Sequence, residues 1–460
     1  MKIKQFSKAK RLLTKVLERD PNHKIALNNM ATALYGLPSS AEYYQRAMKA
    51  FPERFELRSN WLMGLNYLQN WGPKEVYEEH ASLVDVLPSP EALPFQEKEK
   101  IRIGYLSGDF RQHSVAYFLL PLLAQHDRQQ FEIYCYYSKV AQDSFTEKFK
   151  ALSDGWREVE PLNDAELCQQ IRDDSVDILV ELSGHSGGHR MLALAARMAP
   201  VQVSWLGYPH STGVPAIDYR IVDDITDPAP KADAYASETL MRLPESFLCY
   251  QGDEFVAYQS SPPYKENGYV TFGSFNNLLK VNEDVLGAWA EILRQVPNSR
   301  MIIKAKQLSE PDEIKRIKAY FEREGVALER LKLSANFTKT EHHLALYNSI
   351  DLALDTFPYN GTTTTFEALW MGVPTLCILG DRHAARVSAS IMTRAGLEQF
   401  VCENREDYCQ RAVALSREPE QLERLRPQLR EQLKASTLCD AERFTRSMEA
   451  AYQSMLEPKH

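Results

Sequence analysis

The chain has 460 residues, 44% hydrophobic and 25% charged, an ordinary globular balance that allows roughly three folding units of about 150 residues each. Its net charge of −8 argues against a general nucleic-acid or anionic-membrane binder, and no apolar run approaches a membrane-spanning length. The start, MKIKQFSKAKRLL, lacks the apolar core of a signal peptide; seven scattered cysteines without a C-x-x-C pair suggest neither a disulfide frame nor a zinc site, and a cytoplasmic setting is the simplest fit.

The first ninety or so residues read as helical. FSKAKRLLTKVLERDPN and AEYYQRAMKAFPE carry apolar residues at helical spacing and end around a proline. Pro21 and Pro52 lie 31 residues apart, close to the tetratricopeptide period of about 34. Ala26, Asn29, Ala31 and Leu34 fit the small and apolar positions of a following helix. About two units are visible, fewer than the three or so a free-standing array needs, so the helices are expected to lean on the next domain. The proline- and charge-rich stretch Leu87 to Lys100 reads as a linker.

An α/β pattern follows. Strands are expected at Ile101 to Ser107, Phe131 to Ser138, Asp177 to Gly184, Val201 to Tyr208 and Tyr219 to Asp224, most of them separated by helical segments, as in a covered parallel sheet. A polar break spans Gln259 to Gly268, and the alternation restarts with YVTFGSFN, MIIKAK, LKLSAN, DLALDT and PTLCILG as strands. The expected divisions are a helical region over 1–90, one Rossmann-like lobe over 101–258 and a second over 269–460. The last helix, DAERFTRSMEAAYQSML, is placed to pack back across the junction. Ligands of such open sheets bind outside the carboxyl ends of the strands, in the cleft that tandem lobes leave.

Five clusters fall at those ends. In SGDFRQHSVAYF, Asp109 and His113 stand just past a strand, where a neutral histidine suits a general base or a phosphate donor, although a lone histidine is more often structural. In ELSGHSGGHR, Gly184 and its neighbouring glycines mark close backbone approach; the His185 and His189 spacing would suit a metal only on a helix, which the glycines oppose. The loop WLGYPHSTGVPAIDY, with Tyr208 and Pro209, has the composition of a rigid binding loop. In FGSFNNLLKV, Asn276, Asn277 and Lys280 follow a strand, where a lysine either meets a diphosphate or stands solvated at a helix entry.

The fifth cluster joins His343 to the most informative stretch, DTFPYNGTTTTFEALWMGVP. Gly361 and the run Thr362, Thr363, Thr364, Thr365 end in a helix start, where unpaired amides and the dipole suit a phosphate and Glu367 suits a ribose diol. The plainer reading is a capping box formed by Thr364 and Glu367.

Taken in order, DFRQHSVAYF, LVELSGHSGG, APVQVSWLGYPHSTGVPAIDYRIVD, FGSFNNLLK and LDTFPYNGTTTTFEALWMGVP resemble the catalytic region of the family-41 glycosyltransferases, from about Ile101 to the C-terminus. These are the protein O-GlcNAc transferases and the SPINDLY-type protein O-fucosyltransferases; the SPINDLY branch is the more similar. The O-GlcNAc transferases have a histidine before two threonines and an aspartate after them, where this chain has Thr362, Thr363, Thr364 and Glu367. The resemblance implies an α/β GT-B fold of two tandem Rossmann-like lobes behind a tetratricopeptide-like region. It makes His113 the active-site histidine and Lys280 the lysine at the donor diphosphate. His343 lies near the base, Thr363 and Thr364 at the phosphates, and Glu367 at the ribose.

The implied activity is inverting transfer of one sugar from GDP-fucose or UDP-GlcNAc to a protein Ser or Thr, with no metal or other cofactor. Asp223 and Asp224 are accordingly read as structural. Two other readings stand beside it: transfer to a glycan or small molecule, and a non-catalytic scaffold that binds through its helices.

Overall fold

The computed structural model describes residues 6–34, 39–335 and 340–457. The opening residues 1–5 and the last residue of the expected strand at Leu331 to Asn336 lie outside that range. Among the described residues the chain divides into two compact units, Met1–Asn70 with Gly252–Ala435, and Trp71–Gln251 with Ser436–His460.

In the second of these units, strands β1 (Ile101–Ser107), β2 (Phe131–Tyr137), β3 (Gly155–Glu158), β4 (Ile178–Glu181), β5 (Val201–Ser204), β6 (Tyr219–Asp223) and β7 (Thr239–Leu243) form a parallel sheet in the order β3-β2-β1-β4-β5-β6-β7. The central strands are buried along most of their length, because helices cover both faces. β3 and β7 escape sequence reading because they are short, part-polar strands at the two edges. The expected strand at Asp177 to Gly184 stops at Glu181. Its buried carboxylate accepts from the amides of Ser183 at 3.0 Å and Gly184 at 2.7 Å, turning the chain out of the sheet. The closing helix Ala441–Leu456 belongs here: Tyr452 bonds Tyr105 at 3.2 Å, and Glu449 accepts from His126 at 3.0 Å and from the Asp127 amide at 2.8 Å.

In the other unit, β8 (Thr271–Ser274), β9 (Arg300–Lys304), β10 (Leu331–Ser334), β11 (Leu352–Leu354), β12 (Thr375–Ile378) and β13 (Val401–Cys402) form a second parallel sheet, ordered β10-β9-β8-β11-β12-β13. Both sheets repeat the Rossmann order, in which the strand direction of growth reverses between the first and fourth strands. That switch point lies between β1 and β4 in one sheet and between β8 and β11 in the other.

Four helices, Phe6–Arg19, Lys24–Ala33, Ser39–Ala50 and Phe55–Leu65, pack around Leu27, Ala47 and Leu57, with Leu17, Tyr43, Met48 and Phe51 closing over them. They group with the second sheet: Tyr67 packs on Tyr359 with ring centres 5.1 Å apart, and Arg382 donates to the Leu68 carbonyl at 2.9 Å. The helix Pro73–Ala81 groups instead with the first sheet, through His80. The two compact units cut across the expected sequence divisions in two places. The segment 1–90 is shared between the two units, and the last helix leaves the 269–460 lobe, because its buried Tyr452 and Glu449 find their partners around β1. No helix among the described residues is long and apolar enough to cross a membrane.

Candidate functional site

At the second sheet's switch point, the loops leaving β8 and β11 are tied together. Asn276, two residues past β8, donates to Asp355 Oδ1 at 3.0 Å and accepts from the Thr364 hydroxyl at 3.0 Å. The Gly361 amide also donates to Asp355 Oδ1, at 2.8 Å. Asp355 is buried, which pushes its carboxyl up against the opposing effect of the Gly361 amide and the Lys280 charge. Gly361 is required by space: a Cβ there would lie 2.6 Å from Thr364 Oγ1 and 2.8 Å from Thr365 Oγ1. The same atoms border a small recess lined by Phe275, Asn276, Asp355 and Thr364.

The four threonines divide their work. Thr362 precedes the helix Thr363–Trp370 without a side-chain cap, and its carbonyl accepts from Thr365 at 3.1 Å. Thr364 goes to Asn276, and Thr365 bonds Ser388 at 2.9 Å. The hydroxyls of Thr362 and Thr363 have no protein partner among the described residues, at a helix start whose first amides lack intrahelical acceptors. The expected capping box does not form, because Thr364 lies inside the helix and Glu367 turns elsewhere.

Lys280 ends a short turn after β8, where Asn277 caps the Leu279 amide at 3.1 Å. Asn277 also accepts from Gln307, so its carboxamide serves the turn. The Lys280 ammonium donates to the Asn360 carbonyl at 2.6 Å and sits over the Tyr359 ring, 3.8 Å from its centre. Burial pushes it down to about 8, against the pull of Asp355. This is a partly enclosed cation beside the threonine loop, not a solvated one.

One turn further along the helix Thr363–Trp370, Glu367 Oε2 lies 2.9 Å from His343 Nε2 and is 3.3 Å from the Tyr347 hydroxyl. Lys304, the last residue of β9, reaches His343 Nδ1 at 2.5 Å and is pushed down to about 8 by burial, opposed by Glu367. The Phe275 and Tyr347 rings pack 4.5 Å apart beside them. Sequence reading placed His343 and Glu367 together but missed Lys304, Tyr347, Tyr359 and Asp355. A lysine closing an apolar strand and an aspartate just past another were the available signals.

His113, Gly184, Tyr208 and Pro209 belong to the other unit. His113 is part-exposed; its Nδ1 accepts from the Val115 amide at 3.4 Å and stands 3.6 Å from Asp109 Oδ2. Asp109, buried, also holds Arg111 at 3.1 Å and Lys139 at 3.3 Å.

Gly184 has φ +52°, and a Cβ there would meet Tyr208 Cβ at 2.0 Å. Tyr208 and Pro209, expected on a substrate-binding loop, are both buried. The Tyr208 hydroxyl donates to His80 Nε2 at 2.6 Å, while His80 Nδ1 donates to the Val76 carbonyl at 2.7 Å. Burial holds His80 at about 4, so this pairing is uncharged. His185 is not on a helix and spends Nε2 on the Thr212 carbonyl at 2.8 Å, which removes the metal spacing. Asp223 accepts from the Ile225 and Thr226 amides at 3.0 and 2.7 Å and so shapes a turn.

The family Glycosyl transferase family 41 matches residues 88–261 and 260–448. The chain is 39% identical over 419 residues to a probable UDP-N-acetylglucosamine–peptide N-acetylglucosaminyltransferase SPINDLY of Solanum lycopersicum, covering 89% of this chain and 45% of that protein. It thus spans less than half the length of the curated relative. A lysine-to-methionine mutant of the Thermobaculum terrenum O-GlcNAc transferase superposes with a TM-score of 0.92 at 36% identity, over 98% of this chain and 88% of the other. Anabaena HepE in complex with UDP and glucose aligns with a TM-score of 0.51 at 14% identity, over 77% of this chain and 100% of that one, a likeness of fold alone. The two Rossmann-like sheets are those of the GT-B fold, and the chain belongs to glycosyltransferase family 41.

Proposed function

We propose that the chain transfers a single sugar from a nucleotide sugar, GDP-fucose or UDP-GlcNAc, to a Ser or Thr hydroxyl of a protein, with inversion and without a metal ion. The observation that carries this reading is the Lys280 ammonium held at the Asn360 carbonyl, beside the start of the helix Thr363–Trp370. As the acceptor oxygen attacks the anomeric carbon, the bond to the diphosphate breaks and negative charge gathers on its oxygens. A shielded lysine, two uncommitted threonine hydroxyls and a helix N-terminus meet that charge more strongly in the transition state than in the bound donor. This supply of fixed positive charge is the part a divalent ion plays elsewhere.

Glu367 suits the ribose hydroxyls and His343 the base. His113, beside the Asp109 carboxylate at 3.6 Å, suits either a hydrogen-bond donor to the donor phosphate or the base that takes the acceptor proton. A protein acceptor is favoured by the helical region and by the peptide named for the SPINDLY relative.

The test is incubation of the purified chain with a cell lysate and each labelled donor in the presence of EDTA. Label from one donor should appear on protein Ser or Thr. Label appearing only on glycans or small molecules would replace the acceptor, and neither transfer nor donor hydrolysis would leave the scaffold reading.

A further inference from the structure

Lys304 is buried, 1% exposed, at the last position of β9, beside Phe275, whose ring centre lies 5.9 Å from its Nζ. A buried ammonium is costly to a fold, and an apolar residue would close the strand more cheaply. Its 2.5 Å contact with His343 Nδ1 has a definite polarity. An ammonium has donors only, so Nδ1 accepts and the ring proton sits on Nε2. That N–H then points at Glu367 Oε2, 2.9 Å away. The Tyr347 hydroxyl shares its one proton between Oε2 at 3.3 Å and the Thr364 carbonyl at 3.2 Å, so the contacts of the Glu367 carboxylate all fall on Oε2, while its Oε1 has no partner among the described residues. The three side chains come from three elements: β9, the helix Thr340–Ala345 and the helix Thr363–Trp370.

We propose that Lys304 is a positioning residue of the nucleotide site: by donating to Nδ1 it locks His343 as the Nε2–H tautomer, and His343 in turn holds Glu367 with its second oxygen presented to the ribose diol. The proposal rests on the donor-site reading above. Lys304 thus acts through His343 on the nucleoside half of the donor, whereas Lys280 acts on the diphosphate. A lysine at this place that served only packing would leave the tautomer and the nucleoside preference untouched.

Two measurements on the full chain test it. Long-range 1H–15N spectra of histidine-labelled protein, with His343 assigned through His343→Gln, should show the Nε2–H form in the wild type and a mixture of tautomers in Lys304→Met. Calorimetric titration with UDP, GDP and inorganic pyrophosphate should show about tenfold weaker nucleoside diphosphate binding in Lys304→Met. Pyrophosphate affinity should be unchanged, and Lys304→Arg should recover part of the loss.

An Nδ1–H ring in the wild type overturns the proposal without need of any variant. Pyrophosphate weakened as much as the nucleotides overturns it too, since Lys304 would then be a phosphate charge. If nucleotide binds and both the tautomer and the affinity survive in Lys304→Met, the proposal alone falls. If neither nucleotide binds the wild type, the donor-site reading fails and takes the proposal with it.

Discussion

Lys280 Nζ stands 2.6 Å from the Asn360 carbonyl oxygen and 3.8 Å from the centre of the Tyr359 ring, so its charge is fixed from below and beside before any ligand arrives. Tyr359 is in turn backed by Tyr67, 5.1 Å away between ring centres. A cation so placed does not have to be ordered during the reaction, which is the condition for electrostatic stabilisation of a departing diphosphate.

Replacing Lys280 with methionine keeps most of the stem volume and removes the charge. Turnover should fall by about two to three orders of magnitude, as when one transition-state donor is lost. Stability should move by no more than about 1 kcal/mol, since relief of a buried charge offsets the donor lost by Asn360. Transfer kinetics and a melting curve on the same preparation check both. Near-normal transfer would remove Lys280 from the site, and a large drop in melting temperature would make it a structural partner.

The pH dependence of nucleotide binding follows from the same lysine. Burial pushes Lys280, and separately Lys304, down to about 8, below the ordinary lysine value. A bound diphosphate restores the charged form, so binding takes up protons above that value. Affinity should therefore be flat below about pH 8 and weaken as pH rises above it. Folding runs the other way: the unfolded chain holds these protons more tightly, so the handicap of two buried lysines is full below about pH 8 and lifts as pH rises toward the ordinary lysine range. Calorimetry in two buffers of different ionisation enthalpy would read the proton uptake directly, and Lys280→Met should lessen it.

Gly361→Ala tests how tightly the threonine loop is built. The added methyl would press on Thr364 Oγ1 at 2.6 Å, Thr365 Oγ1 at 2.8 Å and Asp355 Oδ1 at 3.0 Å. Overpacking of this kind costs about 1–3 kcal/mol. Thermal unfolding should show that loss, and UDP or GDP affinity should fall with it because the Asn276 to Thr364 bond shares the space. Unchanged affinity would mean that the loop's geometry does not set nucleotide binding.

Tyr208→Phe separates packing from substrate contact in the other unit. The change leaves the buried His80 Nε2 without its donor, a loss of about 1–3 kcal/mol. Melting temperature should drop while nucleotide affinity and acceptor KM stay within twofold. A raised acceptor KM at unchanged stability would return Tyr208 to the substrate surface.

The sequence made the alternation of strands and helices legible because buried parallel strands are continuous apolar runs, and it made Lys280, Gly361 and Glu367 visible because they sit in or just after strand-end stretches of unusual composition. It did not reveal β3 and β7, whose edge positions leave them short and part-polar. The His80 pairing of Tyr208 was hidden for a related reason: a loop rich in glycine, proline and aromatics looks the same whether its rings face a ligand or the interior. Nor does spacing reveal that Lys304 and His343, 39 positions apart, share a hydrogen bond. That contact arises from the Rossmann order, which sets β9 beside β8 and leaves its end near the switch point.

The most direct measurement is titration of the wild-type chain and Lys280→Met with UDP and GDP in EDTA, alongside the matching free nucleosides. At least one diphosphate should bind the wild type without metal, far more tightly than its nucleoside, and Lys280→Met should erase most of that difference. Binding that requires a divalent ion, or a preference for the diphosphate that survives the loss of Lys280, would contradict it.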